Sequence, residues 1–278
     1  MNVLISQIIA FIAIITIGYI VFKYFPFKIM TKDISLAAFL VVASVVLSYF
    51  SLMIPLFGFM SFKVGFSQMP LMILGVILGP GWAFIGALVQ DFLDIMINPS
   101  GFPFLGFTLN KILIATIPAL WFCKWNKLTQ KQTFKLIWLL LFSIYALTLI
   151  GIWRATSITV NLTLLIFTTE MKLLLSLACS VVIVLLILLM LYFKRKYPFE
   201  KSRYHIANWI VCVLLIEIIV QLTLTPIWLD IMYGIPYIMN VLVRMVKSSF
   251  MIFLNITIGY YVLRLVNKIR KDPNGLSK

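Results

Sequence analysis

Long apolar runs dominate the pattern of hydrophobic and polar positions along this 278-residue chain. The pattern predicts nine helical segments, most of them near the roughly 20 residues that a membrane span needs. The segments are 3–22, 34–55, 67–79, 81–97, 104–123, 134–153, 168–193, 205–226 and 237–266. The third is short and ends in Gly79-Pro80-Gly81, which predicts a tight turn into the fourth.

The composition favours a membrane protein over a soluble one. Hydrophobic residues make up 63% of the chain and charged residues 11%, whereas soluble domains are about half apolar and a quarter charged. We therefore expect an all-α integral membrane protein with no soluble domain. The first apolar run has no basic residues before it, unlike a cleaved signal peptide, so we interpret it as a retained transmembrane helix.

Basic residues are distributed unevenly, and the net charge is +15. Most of the 23 lysines and arginines follow the first, fifth, seventh and ninth segments, so they share one membrane face if every segment spans. The positive-inside rule makes that face cytoplasmic, which predicts an outer N-terminus and a cytoplasmic C-terminus. This explains the charge without a nucleic-acid partner and leaves the lipid bilayer as the surface that attracts it.

Ionisable residues interrupt four of the predicted spans. Each costs on the order of 3 kcal/mol at the centre of a bilayer, so each is expected to serve a site or to be paired. They are Asp91, Asp94, Lys111, Glu217, Arg244 and Lys247. At about 1.5 Å per residue, Asp91, Lys111, Glu217, Arg244 and Lys247 lie roughly 10–15 Å below the outer helix ends, in one layer. A site for a small solute and ion pairs inside the bundle, such as Glu217 with Lys247, both fit this pattern.

The spacing of these residues indicates what they could bind. Asp91 and Asp94 share a helix face, as do Arg244 and Lys247, because residues three apart are neighbours on a helix. The cationic pair can bind carboxylates, while the acidic pair can accept hydrogen bonds from ring amino groups. Further donors and acceptors come from four amide side chains: Gln90, Asn110, Gln221 and Asn240.

Several catalytic signatures are missing from the sequence. There is no GxxxxGK[ST] phosphate loop, so ATP hydrolysis by this chain is not expected. There is also no HExxH or GxSxG, which leaves a membrane enzyme without support. The three cysteines lie in different segments without CxxC spacing, so neither a disulfide framework nor a metal site is expected.

Four stretches carry a resemblance to a known family. They are FKVGFSQMPLMILGVILGPGWAFIGALVQDFLD (62–94), PSGFPFLGFTL (99–109), LTLTPIWLDIMYGIPY (222–237) and VLVRMVKS (241–248). Together they resemble the substrate-binding S components of energy-coupling factor (ECF) vitamin importers, with the folate-specific group as the nearest match.

The resemblance implies a six-helix S-component core with three additional helices. The first span is one addition, and an inserted transmembrane hairpin is the other. The implied divisions are 1–33 (N-terminal helix and linker), 34–124 (core helices 1–4), 125–203 (inserted hairpin) and 204–278 (core helices 5–6 and cytoplasmic tail).

The resemblance also implies a function and a site. Such a chain captures folate or a reduced folate from outside a bacterial cell membrane, without cofactor or metal. A transmembrane coupling subunit (EcfT-like) and two cytoplasmic ATPases (EcfA-like) then drive uptake. The ligand-binding residues expected on this basis are Lys63, Asp91, Asp94, Phe104, Asn110, Lys111, Trp228, Tyr233, Asn240, Arg244 and Lys247.

Three alternatives stay open at this point. The vitamin could instead be riboflavin, thiamine or a pyridoxine form. The chain could be a non-transporting assembly subunit whose charges are only structural, which predicts no ligand binding. A membrane enzyme would form product as the purified chain alone.

Overall fold

The structure, a computed structural model, describes residues 3–25, 29–56, 59–97, 103–125, 130–154, 157–160, 163–166, 168–196, 206–235 and 237–271. Within these residues, seven helical stretches are long and apolar enough to cross a membrane, and two shorter apolar helices accompany them. The predicted helical, multi-pass membrane fold is confirmed.

The first half of the chain forms five α-helices and one hairpin. The helices are α1 (Val3–Tyr24), α2 (Thr31–Tyr49), α3 (Gln68–Leu78), α4 (Pro80–Ile97) and α5 (Leu105–Leu120). Strands β1 (Leu52–Leu56) and β2 (Phe59–Val64) pair antiparallel between α2 and α3. A π-helical turn, Trp121–Trp125, continues α5.

The second half adds five more α-helices and a second hairpin. The helices are α6 (Gln130–Arg154), α7 (Thr169–Lys196), α8 (Ile206–Ile216), α9 (Thr225–Tyr233) and α10 (Tyr237–Lys271). Strands β3 (Ser157–Val160) and β4 (Thr163–Ile166) pair between α6 and α7. A π-helical segment, Glu217–Leu224, joins α8 to α9.

Two of the differences between predicted and observed boundaries involve proline. The segment 34–55 was predicted as one span, but α2 ends at Tyr49 and the following residues form β1. Pro55 explains the difference, because proline removes a helical donor and restrains the residue before it to extended backbone. No helix was predicted between the segments 205–226 and 237–266, but most of α9 lies there, and its first turn holds Pro226 where a helix tolerates proline.

The buried centre of the bundle is formed by α3, α5 and α8. Nearly every side chain of α3 is buried, and α2, α4 and α5 surround it. Gly79, with a φ of 93°, makes the turn from α3 into α4 in a conformation that favours glycine. The tight turn predicted from Gly79-Pro80-Gly81 is confirmed.

Helices α1 and α6 pack on different helices of this bundle. Helix α1 lies along α4 and α5, and the rings of Phe22 and Phe84 meet edge to face at 5.7 Å. Helix α6 packs on α8 and α10, and Tyr145 of α6 shares a hydrogen bond of 3.0 Å with Ser180 of α7. The division of the chain into four parts stays a prediction.

Candidate functional site

The π-helical segment after α8 aims two polar side chains at α10. Glu217 and Gln221 lie four residues apart in this segment, and both contact α10. Ser248 donates a hydrogen bond to Oε2 of Glu217 at 2.7 Å, and Nη1 of Arg244 donates to Oε1 of Gln221 at 2.9 Å. Short π-helical segments are frequent at functional sites.

The widened π-helical turns are supported by hydroxyl groups. Thr223 donates to the carbonyl of Ile218 and Thr225 donates to that of Val220, each at 2.7 Å and each five residues back. These bonds occupy carbonyls in a stretch where the normal α-helical spacing is lost. The segment that presents Glu217 and Gln221 is therefore held in place locally.

Five residues define what we name the α10 polar group. They are Glu217, Gln221, Arg244, Lys247 and Ser248. Glu217 is only 2% exposed, and both Arg244 and Lys247 act on it electrostatically. Two cations against one carboxylate leave this group with a surplus of positive charge.

A second cluster, the α4 polar group, joins α4 to α5. It consists of Asp91, Asp94, Thr108 and Lys111. Nζ of Lys111 lies 3.0 Å from Oδ1 of Asp91 and 2.7 Å from Oδ2 of Asp94. Thr108 donates to the other oxygen of Asp91 at 2.6 Å. The interpretation as ion pairs inside the bundle therefore fits this group, in which two carboxylates share one ammonium.

Helix α5 links the two polar groups. Next to Lys111, the amide of Asn110 accepts a hydrogen bond from Nε1 of Trp228 and donates to Oγ1 of Thr225, both at 3.1 Å. Thr225 directly follows the π-helical segment. Residue counting along the helices puts both groups at a similar depth, and this common depth stays a prediction.

Two aromatic rings cover the start of α5. Phe104 is 3% exposed, and its ring meets that of Trp228 edge to face at 5.6 Å. Gly106 permits this contact, because a Cβ there would collide with the ring of Phe104 and lie 2.8 Å from that of Trp228. The sequence predicted Phe104 and Trp228 as site residues, and the structure brings them together.

Three other predicted site residues are placed differently. Lys63 lies in β2 opposite Met53, but its side chain is outside the described part of the structure. Asn240 is 2% exposed and donates to the carbonyl of Ile235 at 3.1 Å, a local contact. Tyr233, at the end of α9, is 51% exposed. Ligand contacts by these three residues stay predictions.

Sequence reasoning missed the hydroxyl partners in both groups. Thr108 lies three residues before Lys111, and Ser248 lies four residues after Arg244, so helical spacing could have indicated both. Gln90 was named as an amide of this layer but was not among the expected ligand-binding residues; it is 1% exposed, and its Oε1 accepts no hydrogen bond from the described residues. A buried acceptor without a donor is a candidate for a ligand contact.

Comparisons with known proteins find similarity among solved structures. No protein-family model and no curated protein matches the chain. A solved structure described as a crystal structure of FolT bound with folic acid is similar at a TM-score of 0.47 and 22% sequence identity. The similarity covers 84% of this chain and 94% of that one.

Proposed function

We propose that this chain is the S component of an ECF-type importer and captures folate or a reduced folate. The observation that carries the proposal is the pair of oppositely charged polar groups in one bundle, with the Phe104–Trp228 ring pair joined to them through Asn110. This arrangement suits a ligand with an anionic end and a flat, hydrogen-bonding ring system.

The α10 polar group is the part that would receive the anionic end. Its positive surplus comes from Arg244 and Lys247, and the only described hydrogen bond of Arg244 is to a neutral amide, that of Gln221. An arginine can form two parallel hydrogen bonds with a carboxylate. Arg244 and Lys247 would therefore bind the glutamate carboxylates of a folate, with Lys63 as a further cation from β2.

The α4 polar group and its neighbours would receive the pterin ring. Asp91 and Asp94 supply acceptors for ring amino groups, and Oε1 of Gln90 is one more buried acceptor. Phe104 and Trp228 provide aromatic surfaces for ring contacts, with Tyr233 as a further ring at the end of α9. Asn110 of α5 binds both Trp228 and Thr225, and these hydrogen bonds hold the ring of Trp228 against α5.

The sequence stretches that resemble the family support the same assignment. Asp91 lies in 62–94, Phe104 in 99–109, Trp228 in 222–237 and Arg244 in 241–248. Each stretch therefore contributes a residue to the two polar groups or to the ring pair between them.

The proposal includes partners and an orientation. Because the sequence has no phosphate loop, ATP hydrolysis belongs to two separate cytoplasmic ATPases, which act through a transmembrane coupling subunit. The chain would lie in a bacterial plasma membrane with its C-terminus in the cytoplasm and its site opening outward.

A ligand titration tests the proposal. The purified chain in detergent is titrated with folate, 5-formyltetrahydrofolate, riboflavin, thiamine and pyridoxine, and tryptophan fluorescence is followed. Saturable quenching at submicromolar folate supports the proposal. A response to riboflavin or thiamine alone would contradict the substrate assignment and keep the class of transporter.

The second candidate function is that of a structural subunit in a membrane assembly. The observation that favours it is the ion pairing of Asp91 and Asp94 by Lys111, which needs no ligand. This candidate predicts that none of the vitamins binds while the chain still co-purifies with a membrane partner. Product formation from any of them by the purified chain would instead indicate an enzyme.

A further inference from the structure

Helix α1, which lies outside the six-helix core, reaches the start of α5 through one side chain. Nε2 of Gln7 donates to the carbonyl of Pro103 at 3.3 Å, and its Oε1 accepts from the backbone N–H of Leu105 at 3.1 Å. A single amide thus binds the residues on both sides of Phe104. Gln7 carries the one amide side chain of α1, and the sequence alone gave it no role.

These hydrogen bonds satisfy a need of α5 itself. The first backbone N–H groups of a helix have no partner within the helix. Phe104, at the N-cap position of α5, makes no side-chain cap. Gln7 provides the missing acceptor from almost a hundred residues away in the sequence.

The segment 103–105, which Gln7 binds at both ends and so clamps, is connected to the proposed site by a series of contacts. Phe104, between the two clamped residues, meets the ring of Trp228. Trp228 donates to Asn110, and Asn110 donates to Thr225 at the end of the π-helical segment. Movement of the start of α5 would therefore displace the ring pair and the amide that link the two polar groups.

We infer that Gln7 is a positioning residue that holds Phe104 over Trp228 and thereby slows the release of ligand. The inference rests on the proposed function, because it states that the hydrogen bonds of Gln7 slow the release of a bound folate. It also gives the additional N-terminal helix a role in binding rather than only in attachment to the bundle.

Changing Gln7 should leave α1 in place. The C-terminal part of α1 packs on α4. There Gly18 and Phe22 of α1 contact the ring of Phe84, with Phe22 and Phe84 edge to face. Loss of one amide contact therefore leaves the remaining packing of α1 unchanged. Variants at Gln7 should fold, and their effect should be local.

Two variants separate the two hydrogen bonds. Gln7→Leu removes both of them. Gln7→Glu keeps an acceptor for the N–H of Leu105, which a carboxylate near a helix N-terminus suits, but loses the donor to Pro103. Thr16→Val is the control, because Thr16 bonds only to the carbonyl of Ile12 within α1.

The experiment measures two quantities on the full-length chain in lipid nanodiscs. Amide hydrogen exchange reports protection of the first turn of α5 without ligand, and stopped-flow fluorescence reports folate dissociation. Gln7→Leu should speed exchange at Leu105 and raise the dissociation rate about fivefold, with a smaller change in the association rate. Gln7→Glu should retain much of the protection, and Thr16→Val should match the wild type.

The outcomes separate this inference from the proposed function. If amide hydrogen exchange at Leu105 is unchanged in Gln7→Leu, Gln7 does not hold the start of α5 and the inference is wrong. Faster exchange with an unchanged dissociation rate overturns the link to ligand release. If the wild-type chain binds no folate, the proposed function and the role in release both fail, and the exchange result alone decides whether Gln7 holds α5.

Discussion

The two polar groups of the bundle are linked through α5, yet their buried charges are compensated by different partners. In the α4 polar group, one ammonium lies between two carboxylates and a threonine hydroxyl binds a third oxygen. In the α10 polar group, the buried carboxylate is bound by a serine hydroxyl and Arg244 is bound by a neutral amide.

This difference shows which group is arranged for an external partner. Short ion pairs inside a membrane satisfy one another and resist change, because removing one partner leaves an uncompensated buried charge. A cation held by an amide keeps most of its attraction for an anion. We therefore interpret the α4 polar group as held together by its own ion pairs while its carboxylates also accept hydrogen bonds from the ligand ring, and the α10 polar group as the receptor for an anionic ligand end.

Replacing Lys111 should have the largest effect on stability. Lys111→Met leaves Asp91 and Asp94 as two adjacent buried carboxylates and should destabilise the chain by about 3–5 kcal/mol. The measurement is thermal unfolding in detergent by light scattering or fluorescence. The triple variant Asp91→Asn, Asp94→Asn, Lys111→Met should recover most of the loss; equal damage in both variants would show that the ion pairs are not the cause.

Breaking the link between the two groups should have the next largest effect. Asn110→Leu leaves the indole N–H of Trp228 without its acceptor and should lower the free energy of unfolding by about 2 kcal/mol. Thr116→Val is the control on the same helix, because Thr116 bonds only to the carbonyl of Ile112. A loss in Asn110→Leu no greater than in this control would mean that α5 does not couple the groups.

Replacing Gln90 should change stability and binding in opposite directions. Gln90→Met removes a buried acceptor without a donor and should stabilise the ligand-free chain by about 1 kcal/mol, while folate binds more weakly. Asn255→Leu is the matched control, because Oδ1 of Asn255 is also buried without a hydrogen bond but lies farther along α10. It should raise stability and leave folate affinity unchanged; weaker binding in both variants would remove Gln90 from the site.

Replacing Glu217 should have the smallest effect. Glu217→Gln can still accept from Ser248 but adds one unit to the positive surplus of the α10 polar group. Folate affinity should rise about threefold, and high salt should reduce the gain. Isothermal titration at two ionic strengths measures this, and a fall in affinity would show that the carboxylate itself assists binding.

The sequence predicted the helices well because each is a long apolar run bounded by charges or by Gly and Pro. Helical rise converts residue count into depth and gives Asp91, Lys111, Glu217 and Arg244 a common depth, which stays a prediction. It could not predict which charges pair, since pairing depends on how α4, α5 and α10 rotate against one another.

Other features depend on tertiary contacts that leave no periodic signal. The π-helical segment Glu217–Leu224 has the same apolar pattern as an ordinary helix. The clamp by Gln7 joins residues almost a hundred positions apart. Strand β1 was hidden at the end of the apolar run 34–55, and its partner β2 lies between two predicted segments.

Comparison of two ligands in one variant tests the central claim most directly. The affinities of folate and of 6-hydroxymethylpterin, which lacks carboxylates, are measured for the wild type and Arg244→Ala. The control is Arg264→Ala, at an exposed arginine of the same helix beside the ring of Tyr260. Arg244→Ala should weaken folate binding at least about tenfold and change pterin binding less than about twofold. Equal losses for both ligands, or no loss of folate binding, would contradict the assignment of the α10 polar group as the receptor for the anionic end.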